Sequence, residues 1–309
     1  MAHEQEDVHI GQRHESAWDQ VSDIVSSPGA QPLDSHQIMS LQRTIGNQET
    51  IRLLQQSGQR QSSTRSDHRV QREDDPKPLK IVSSKAMGRL NKAKDAIEHT
   101  KQVFSYGAGN QSEALKATNF NSYYRMKVMR NEKYWKLTKK AKALAAAHPE
   151  AYTAAKAQIV HGGNCGEHAQ VAFEYLRVMA DGETLNRASV KGLDHAFVII
   201  GDIPTETDGD LVVADAWPTK PTAVVWEDFF AHEADRSQIE VRKKMVADGK
   251  EIATAIAAGL TLTKKGKKMA EKQMSDKQTD KEIKKGEGGW IWDHENTADE
   301  GKDYEYFDV

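Results

Sequence analysis

An α+β fold, in which a helical N-terminal subdomain leads into a small antiparallel sheet, is what this sequence predicts, and three observations carry that expectation. Apolar residues recur at three- and four-residue intervals over Ser84–Phe104, Glu132–Ala147, Pro149–Ile159 and Cys165–Met179, which is the period of amphipathic helices. The period then shortens. Ala196–Ile200 and Leu211–Ala214 are apolar, β-branched-rich runs separated by Pro204 and Asp208-Gly209, the pattern of two buried strands joined by a turn. Beyond Phe230 the helical texture returns, with Ile239–Leu260 as the strongest candidate.

The first helices are Ala- and Lys-rich, residue types that lose little rotamer freedom in a helix. The helix opening at Cys165 follows Gly162-Gly163-Asn164 and carries Ala169, Ala172, Phe173, Leu176 and Met179 along one stripe. It is the most clearly amphipathic segment of the chain. The stretch Lys264–Lys285 holds nine lysines against four acidic residues, which predicts a solvated helix or linker, with a phosphate- or membrane-binding patch as the other reading. The tail from Asp293 to Val309 has seven acidic residues against one lysine, with Trp290 and Trp292 beside it, and is placed to fold back over that basic stretch.

Composition divides the chain further. Its hydrophobic share is 38 %, below the roughly 45–50 % usual for globular chains, so part of the length is expected to lie outside any core. Residues 1–78 are rich in Gln, Ser, His and Asp and too poor in aliphatic residues to offset the entropy of ordering. Three regions follow from this: a mostly flexible leader over 1–78, a folded domain over 79–235, and a charged helical extension over 236–309. Within the leader, an island over 35–56 carries Ile38, Leu41, Ile45, Ile51, Leu53 and Leu54 around Gly46-Asn47, a helix–turn–helix too short to fold alone.

A formal net charge of −3 points to no general attraction for nucleic acid or anionic membrane. The single cysteine excludes an intramolecular disulfide. The N-terminus lacks the pattern of a secretory signal and no run of about 18 apolar residues occurs, so a soluble product made in the cytoplasm, without stable membrane insertion, is expected.

That lone thiol is the centre of the chemistry the sequence suggests. A thiolate is the nucleophilic form, and a free cysteine with a pKa near about 8.5 is mostly protonated at neutral pH. A helix N-terminus and an adjacent imidazolium both favour the anion. Cys165 opens a helix, which supplies the first device. His195, in Leu193-Asp-His-Ala-Phe-Val-Ile-Ile-Gly201, stands just before a buried strand and is placed to supply the second. Asp215 closes the next apolar run, so hairpin pairing of the two strands would bring its carboxylate to His195, where it would orient and charge-stabilise the ring. The flanking glycines Gly163 and Gly166 let backbone amides approach a substrate carbonyl. An oxyanion would be held by the Cys165 amide and one further donor, with Gln158 and Asn164 as candidates.

Other readings of the same residues stay open. A lone cysteine is often an inert buried hydrophobe. His161 and His168 flank Cys165 at four and three residues, which permits a metal site, although no further ligand cluster has metal spacing. His168 otherwise reads as a support residue or core histidine. Asp194 points opposite His195 in strand alternation and Asp202 lies at the wrong strand end. Trp217 and Trp226 read as core or pocket wall. No metal and no cofactor is called for.

The phrases Gly163-Asn-Cys-Gly-Glu-His168, Asp194-His-Ala-Phe197 and Val213-Ala-Asp-Ala-Trp-Pro218 resemble those of papain-like deamidase and protease domains of bacterial toxins, within the papain-like and transglutaminase-like superfamily, over roughly residues 155–230. The resemblance implies a catalytic Cys at the N-terminus of a helix packed on a small antiparallel sheet, a Cys-His-Asp triad and an acyl-thioester intermediate. The segment lacks the Cys-Gly-Ser-Cys-Trp phrase of plant and lysosomal papain-type proteases. Glutamine deamidase and cysteine protease are the leading expectations, with transglutaminase and small-molecule N-acyltransferase as alternatives. Leu41-Gln-Arg-Thr-Ile-Gly-Asn-Gln48 with Ile51-Arg-Leu-Leu54, and Val70-Gln-Arg-Glu73 after it, resemble the leader motif and spacer of proteins linked to extracellular contractile injection systems. That likeness implies association with an injection particle through Leu41–Leu54, and export within it to the cytosol of a target cell, where a protein would be the substrate. The alternative for Leu41–Leu54 is an amphipathic hairpin covering the enzyme. The rival from another class is a structural or adaptor protein of such a particle.

Overall fold

The computed structural model describes residues 79–287, 289–292 and 305–308. The leader over 1–78, including the Leu41–Leu54 island and Val70–Glu73, and most of the acidic tail lie outside the described residues. The architecture is mixed α/β, with nine α-helices among the described residues, and no helix of these is long and apolar enough to cross a membrane.

Helix α1 (Ser84–Val103) starts where Ser83, in extended backbone, accepts a hydrogen bond from the Ala86 amide at 3.1 Å, an N-cap that satisfies one otherwise orphaned donor. The short helices α2 (Ser112–Ala117) and α3 (Asn121–Met129) follow, then strand β2 (Trp135–Leu137), α4 (Lys139–Ala147) and α5 (Pro149–Val160). Proline at the first position of α5 costs no hydrogen bond there. Helix α6 (Cys165–Met179) is next, and it buries Ala169, Ala172, Phe173 and Leu176 of the expected stripe. Met179 is 55 % exposed instead.

The sheet lies under α1 and α6. Strands β3 (Thr184–Val190), β4 (Phe197–Ile200), β5 (Val212–Asp215), β6 (Thr222–Val225) and β7 (Ile239–Val246) form an antiparallel sheet in the order β6-β5-β4-β3-β7. Every residue of β4 and β5 is buried, which explains why both read as continuous apolar runs without alternation. Val198 pairs with Ala214 and Ile200 with Val212. The turn between them needs a glycine at Gly201, where φ is +122° and a Cβ would come within 2.7 Å of Leu211 and 2.8 Å of the Arg89 guanidinium. Arg89, 2 % exposed, binds the same turn from α1 through Glu206 and the Asp210 carbonyl at 2.8 Å, and also binds Glu183, just before β3, at 2.7 Å. The buried charge is thus surrounded by acceptors, as its desolvation demands.

Two expectations from the sequence need correction. Ile239–Val246 is an edge strand pairing with β3, and only Ile252–Ala257 (α7) within 239–260 is helical. The run reads as helical because β7 alternates unevenly, with lysine and arginine on the exposed edge, a composition helices share. The strand also joins residues assigned to a separate extension to the main sheet, and the described residues belong to one compact unit. The lysine-rich stretch is two helices, α8 (Lys264–Ala270) and α9 (Asp276–Gly286), after strand β8 (Leu260–Leu262), which pairs with β2. Its nine lysines are all exposed, while Gly266 and Ala270 of α8 and Thr279, Ile283 and Gly286 of α9 are buried, Ala270 in a cluster with Trp135 and Ile283 in one with Leu115 and Phe120. Strand β9 (Glu305–Asp308) pairs in parallel with β1 (Leu79–Val82) rather than with the basic helices.

Phe173 is 1 % exposed in the core between α6 and the sheet. Phe173→Ala is expected to lower the unfolding free energy by about 3–5 kcal/mol, measured by urea denaturation with an unchanged slope.

Candidate functional site

Cys165 occupies the first turn of α6, where unpaired amides and the helix dipole favour an anion. The turn that delivers it is crowded: a Cβ on Gly163 would meet the Glu167 Cβ at 2.4 Å and the Phe104 ring at 2.9 Å. Glycine is required there for close approach. The Asn164 amide donates to Glu167 Oε2 at 2.7 Å, and Arg130 clamps the same carboxylate with bonds of 3.0 and 2.8 Å. Gly166, by contrast, has open space where a side chain would stand. Cys165 itself is half-buried.

His195 is held from the sheet. Because Ala214 pairs with Val198, Asp215 arrives beside the segment that precedes β4. His195 Nε2 donates to Asp215 Oδ2 at 2.6 Å, and both side chains are buried. The second carboxylate oxygen accepts from the Trp217 amide at 3.3 Å. The opposite ring nitrogen, Nδ1, is buried with no hydrogen-bond partner, although the sulfur of Cys165 is near enough to act on the imidazole's proton affinity. Burial disfavours the imidazolium, but attraction from Asp215 together with Cys165 outweighs it and raises the His195 pKa to about 10. Since the carboxylate fixes the proton on Nε2, Nδ1 is the atom left to exchange a proton with sulfur. The rings of Trp217 at 5.2 Å and Phe230 at 5.7 Å wall the imidazole.

The other residues singled out from the sequence divide into those that support this arrangement and those placed elsewhere. His168, fully beneath the surface, donates from Nδ1 to the Asn164 carbonyl at 2.8 Å and stacks on Phe104 at 3.7 Å. Burial, with Lys101 nearby, pushes its pKa down to about 3, so it is a neutral brace under the helix start. His161 turns away to the Val103 carbonyl at 2.7 Å. Among the described residues no three His, Cys, Asp or Glu side chains gather as metal ligands. Asn164 acts through its backbone, and its side-chain oxygen is buried without a partner. Gln158 lines a cleft with Glu174 and Tyr175, farther along α6. Asp194 is exposed and Trp226 fully buried in the core.

Three neighbours escaped the sequence reading. Asn110 follows Gly107-Ala-Gly109, and the Gly109 amide donates to the Gly163 carbonyl at 3.0 Å, bringing this loop against the Cys165 turn. Its Oδ1 accepts from Trp217 Nε1 at 3.2 Å, which leaves the amide nitrogen as the donor on the other side. The Gly-Ala-Gly-Asn run was the available signal, being a turn that permits close backbone approach. Lys101, from the last turn of α1, donates to the Pro218 carbonyl at 2.8 Å; burial lowers its pKa to about 8, opposed by Asp215. Arg130 has a raised pKa, in which burial is outweighed by Glu167 with further attraction from Cys165 and Asp194, so a permanent positive charge stands near the sulfur. Neither has a local sequence signature.

Chemically, the arrangement offers a nucleophile at a helix N-terminus, a proton acceptor oriented by a buried carboxylate, and amide donors beside both. No protein-family model, no curated protein and no solved structure matches the chain.

The folded pKa of His195 lies above its ordinary 6.5, so the pair's stabilisation is complete below about pH 6.5 and fades as pH rises through about 10. Asp215→Asn keeps the shape and removes the charge. It is expected to lower the His195 pKa by roughly 1–3 units, seen in an NMR titration of the ring, and to destabilise the protein more at pH 6 than at pH 10.

Proposed function

We propose that the chain is a cysteine-nucleophile enzyme that transfers the acyl group of a protein amide, with Cys165 as nucleophile, His195 as general base and acid, and Asp215 as its orienting carboxylate. The observation that carries this reading is the polarity of the imidazole: Asp215 takes Nε2 at 2.6 Å inside the protein and leaves Nδ1 unpaired on the side of a helix-terminal thiol. The ring nitrogen that Asp215 does not use is therefore left to the thiol, which is near enough to raise the proton affinity of the imidazole. The same arrangement supports membership of the papain-like superfamily that the motifs resemble.

In the proposed reaction the thiol proton already resides on His195 Nδ1, as the raised proton affinity of the ring favours, and the resulting thiolate attacks the amide carbon. The oxyanion is held by the Cys165 amide and the Asn110 side-chain nitrogen. The carbon–nitrogen bond breaks as the imidazolium returns its proton to the departing nitrogen. Water, losing a proton to His195, then hydrolyses the thioester and frees Cys165. Where the departing nitrogen is ammonia the net change is carboxamide to carboxylate. His195 is 5 % exposed and walled by Trp217 and Phe230. So narrow an approach favours the carboxamide tip of a glutamine side chain over an extended main chain, and we therefore read deamidation ahead of proteolysis. Delivery by an injection particle through Leu41–Leu54 is part of the proposal and rests on the leader motif.

Peptide mapping of a target-cell lysate treated with wild type or Cys165→Ala tests the reading. A gain of about one mass unit at glutamine, absent with Cys165→Ala, is the expected result. A new chain terminus would mean proteolysis and an amine adduct transglutamination. No Cys165-dependent change, together with slow, His195-independent alkylation of the thiol, would favour an adaptor role instead. With a responsive substrate, Asn110→Ala is expected to reduce kcat by roughly 100-fold with little change in KM.

A further inference from the structure

A cavity of about 210 Å³ lies on the far part of α6, walled by His99 of α1, Gln158 of α5, Glu174, Tyr175, Val178 and Met179 of α6, and residues 251–254 at the start of α7. Glu174 begins nine residues after Cys165, about 14 Å along the helix axis, so the cavity is separate from the thiol. We propose that it binds an ammonium or guanidinium group carried on a short apolar chain.

The charge in this cavity is incompletely matched. Glu174 is 6 % exposed, and its Oε2 is buried with no hydrogen-bond partner. The nearest cation is Arg177, whose Nη1 is 3.6 Å away, while its Nε and Nη2 are taken by Asp248 at 2.7 and 2.9 Å. Burying a carboxylate whose one nearby donor stands at 3.6 Å is costly. Burial accordingly raises the Glu174 pKa to about 6, Arg177 opposing and Glu150 and Asp248 adding to the rise. A ligand bringing N–H donors and positive charge would supply what the protein leaves out.

The rest of the wall suits the same chemistry. His99 stacks on Tyr175 with ring centroids 4.6 Å apart, and burial lowers the His99 pKa, so the stack does not compete as a cation near neutral pH. Its ring faces can receive an organic cation. Val178, Met179, Ile252 and Ala253 provide an apolar lining for an alkyl stem, and Met179 is exposed at the rim. An anionic ligand would face Glu174 and Glu251 together. A neutral apolar one would leave Glu174 unsatisfied.

A free amine and a lysine or arginine side chain of a partner protein share this chemistry, and titration calorimetry of the full chain distinguishes them. Agmatine and n-butylammonium represent the free ligand; N-acetyl-arginine-methylamide represents the side chain. Saturable binding of agmatine to wild type and to Cys165→Ala alike is expected, with 1-pentanol inert and Glu174→Gln weakening the affinity by about tenfold or more. Binding of the blocked arginine as well would assign the cavity to a protein side chain, and binding of the free amines alone to a small molecule. Val178→Phe, which fills the cavity, is expected to abolish binding and keeps the test decisive if Glu174→Gln does not fold. The proposal is overturned if neither cation saturates wild type, or if Glu174→Gln or Val178→Phe binds agmatine as wild type does. Because Cys165→Ala retains binding in this scheme, failure of the acyl-transfer reading leaves the result unaffected.

Discussion

The buried hydrogen bond between His195 and Asp215 is the constraint around which the site is organised. A carboxylate that is 1 % exposed is tolerable only with donors on its oxygens and positive charge nearby. Those come from the imidazole, the Trp217 amide and, at longer range, Lys101. Each comes from a different part of the chain: the segment before β4, the residues after β5, and the end of α1. The carboxylate therefore ties the sheet to the first helix, and the same attraction sets the orientation and proton affinity of the ring. Stability and proposed chemistry are drawn from one interaction.

A second layer of constraint fixes the sulfur against that ring. Gly163 has no room for a side chain, Glu167 reaches back to the Asn164 amide, and His168 braces the turn from below while stacking on Phe104. The helix start is thus held from three sides, by α1 through Phe104, by the end of α3 through Arg130 and by the 107–111 loop through Gly109. Positional precision of this kind is what an in-place proton transfer requires, since small displacements of the reacting groups are costly in rate. Helices α1 and α6 packed on the sheet keep the two halves of the site in register.

Much of this was legible from residue order because the elements that matter are buried on both faces. Strands β4 and β5 appear as apolar runs, so their pairing and the meeting of His195 with Asp215 follow from a hairpin argument that needs no other part of the protein. The helix at Cys165 is announced by Gly-Gly-Asn and by its stripe. What could not be read is what depends on distant packing. Strand β7 is an edge with half its residues in solvent, and its lysines match helical and strand periods equally well. Asn110, Lys101 and Arg130 reach the site from segments separated from Cys165 by 55, 64 and 35 residues, and no local periodicity encodes such approaches. Gln158 illustrates the converse. It is close to Cys165 in sequence, and it lines the cleft beside Glu174 and Tyr175 of α6, a placement set by the helix that carries it.

The polar residues of α6 divide by depth, and that division argues for two distinct uses of one helix. At its N-terminus Glu167 and His168 are both satisfied by hydrogen bonds, and they serve to hold Cys165. Nearer its C-terminus Glu174 is equally buried but lacks a hydrogen-bonded partner, because Arg177 spends its paired donors on Asp248. A helix that merely packed on the sheet would place apolar residues at such a position, as it does at Ala172, Phe173 and Leu176. Retaining an acid there carries a standing desolvation cost. Arg177 Nη1 at 3.6 Å offsets part of that cost, and a donor bound in the proposed cavity would offset more, so one end of α6 is a completed arrangement and the other a partly matched one.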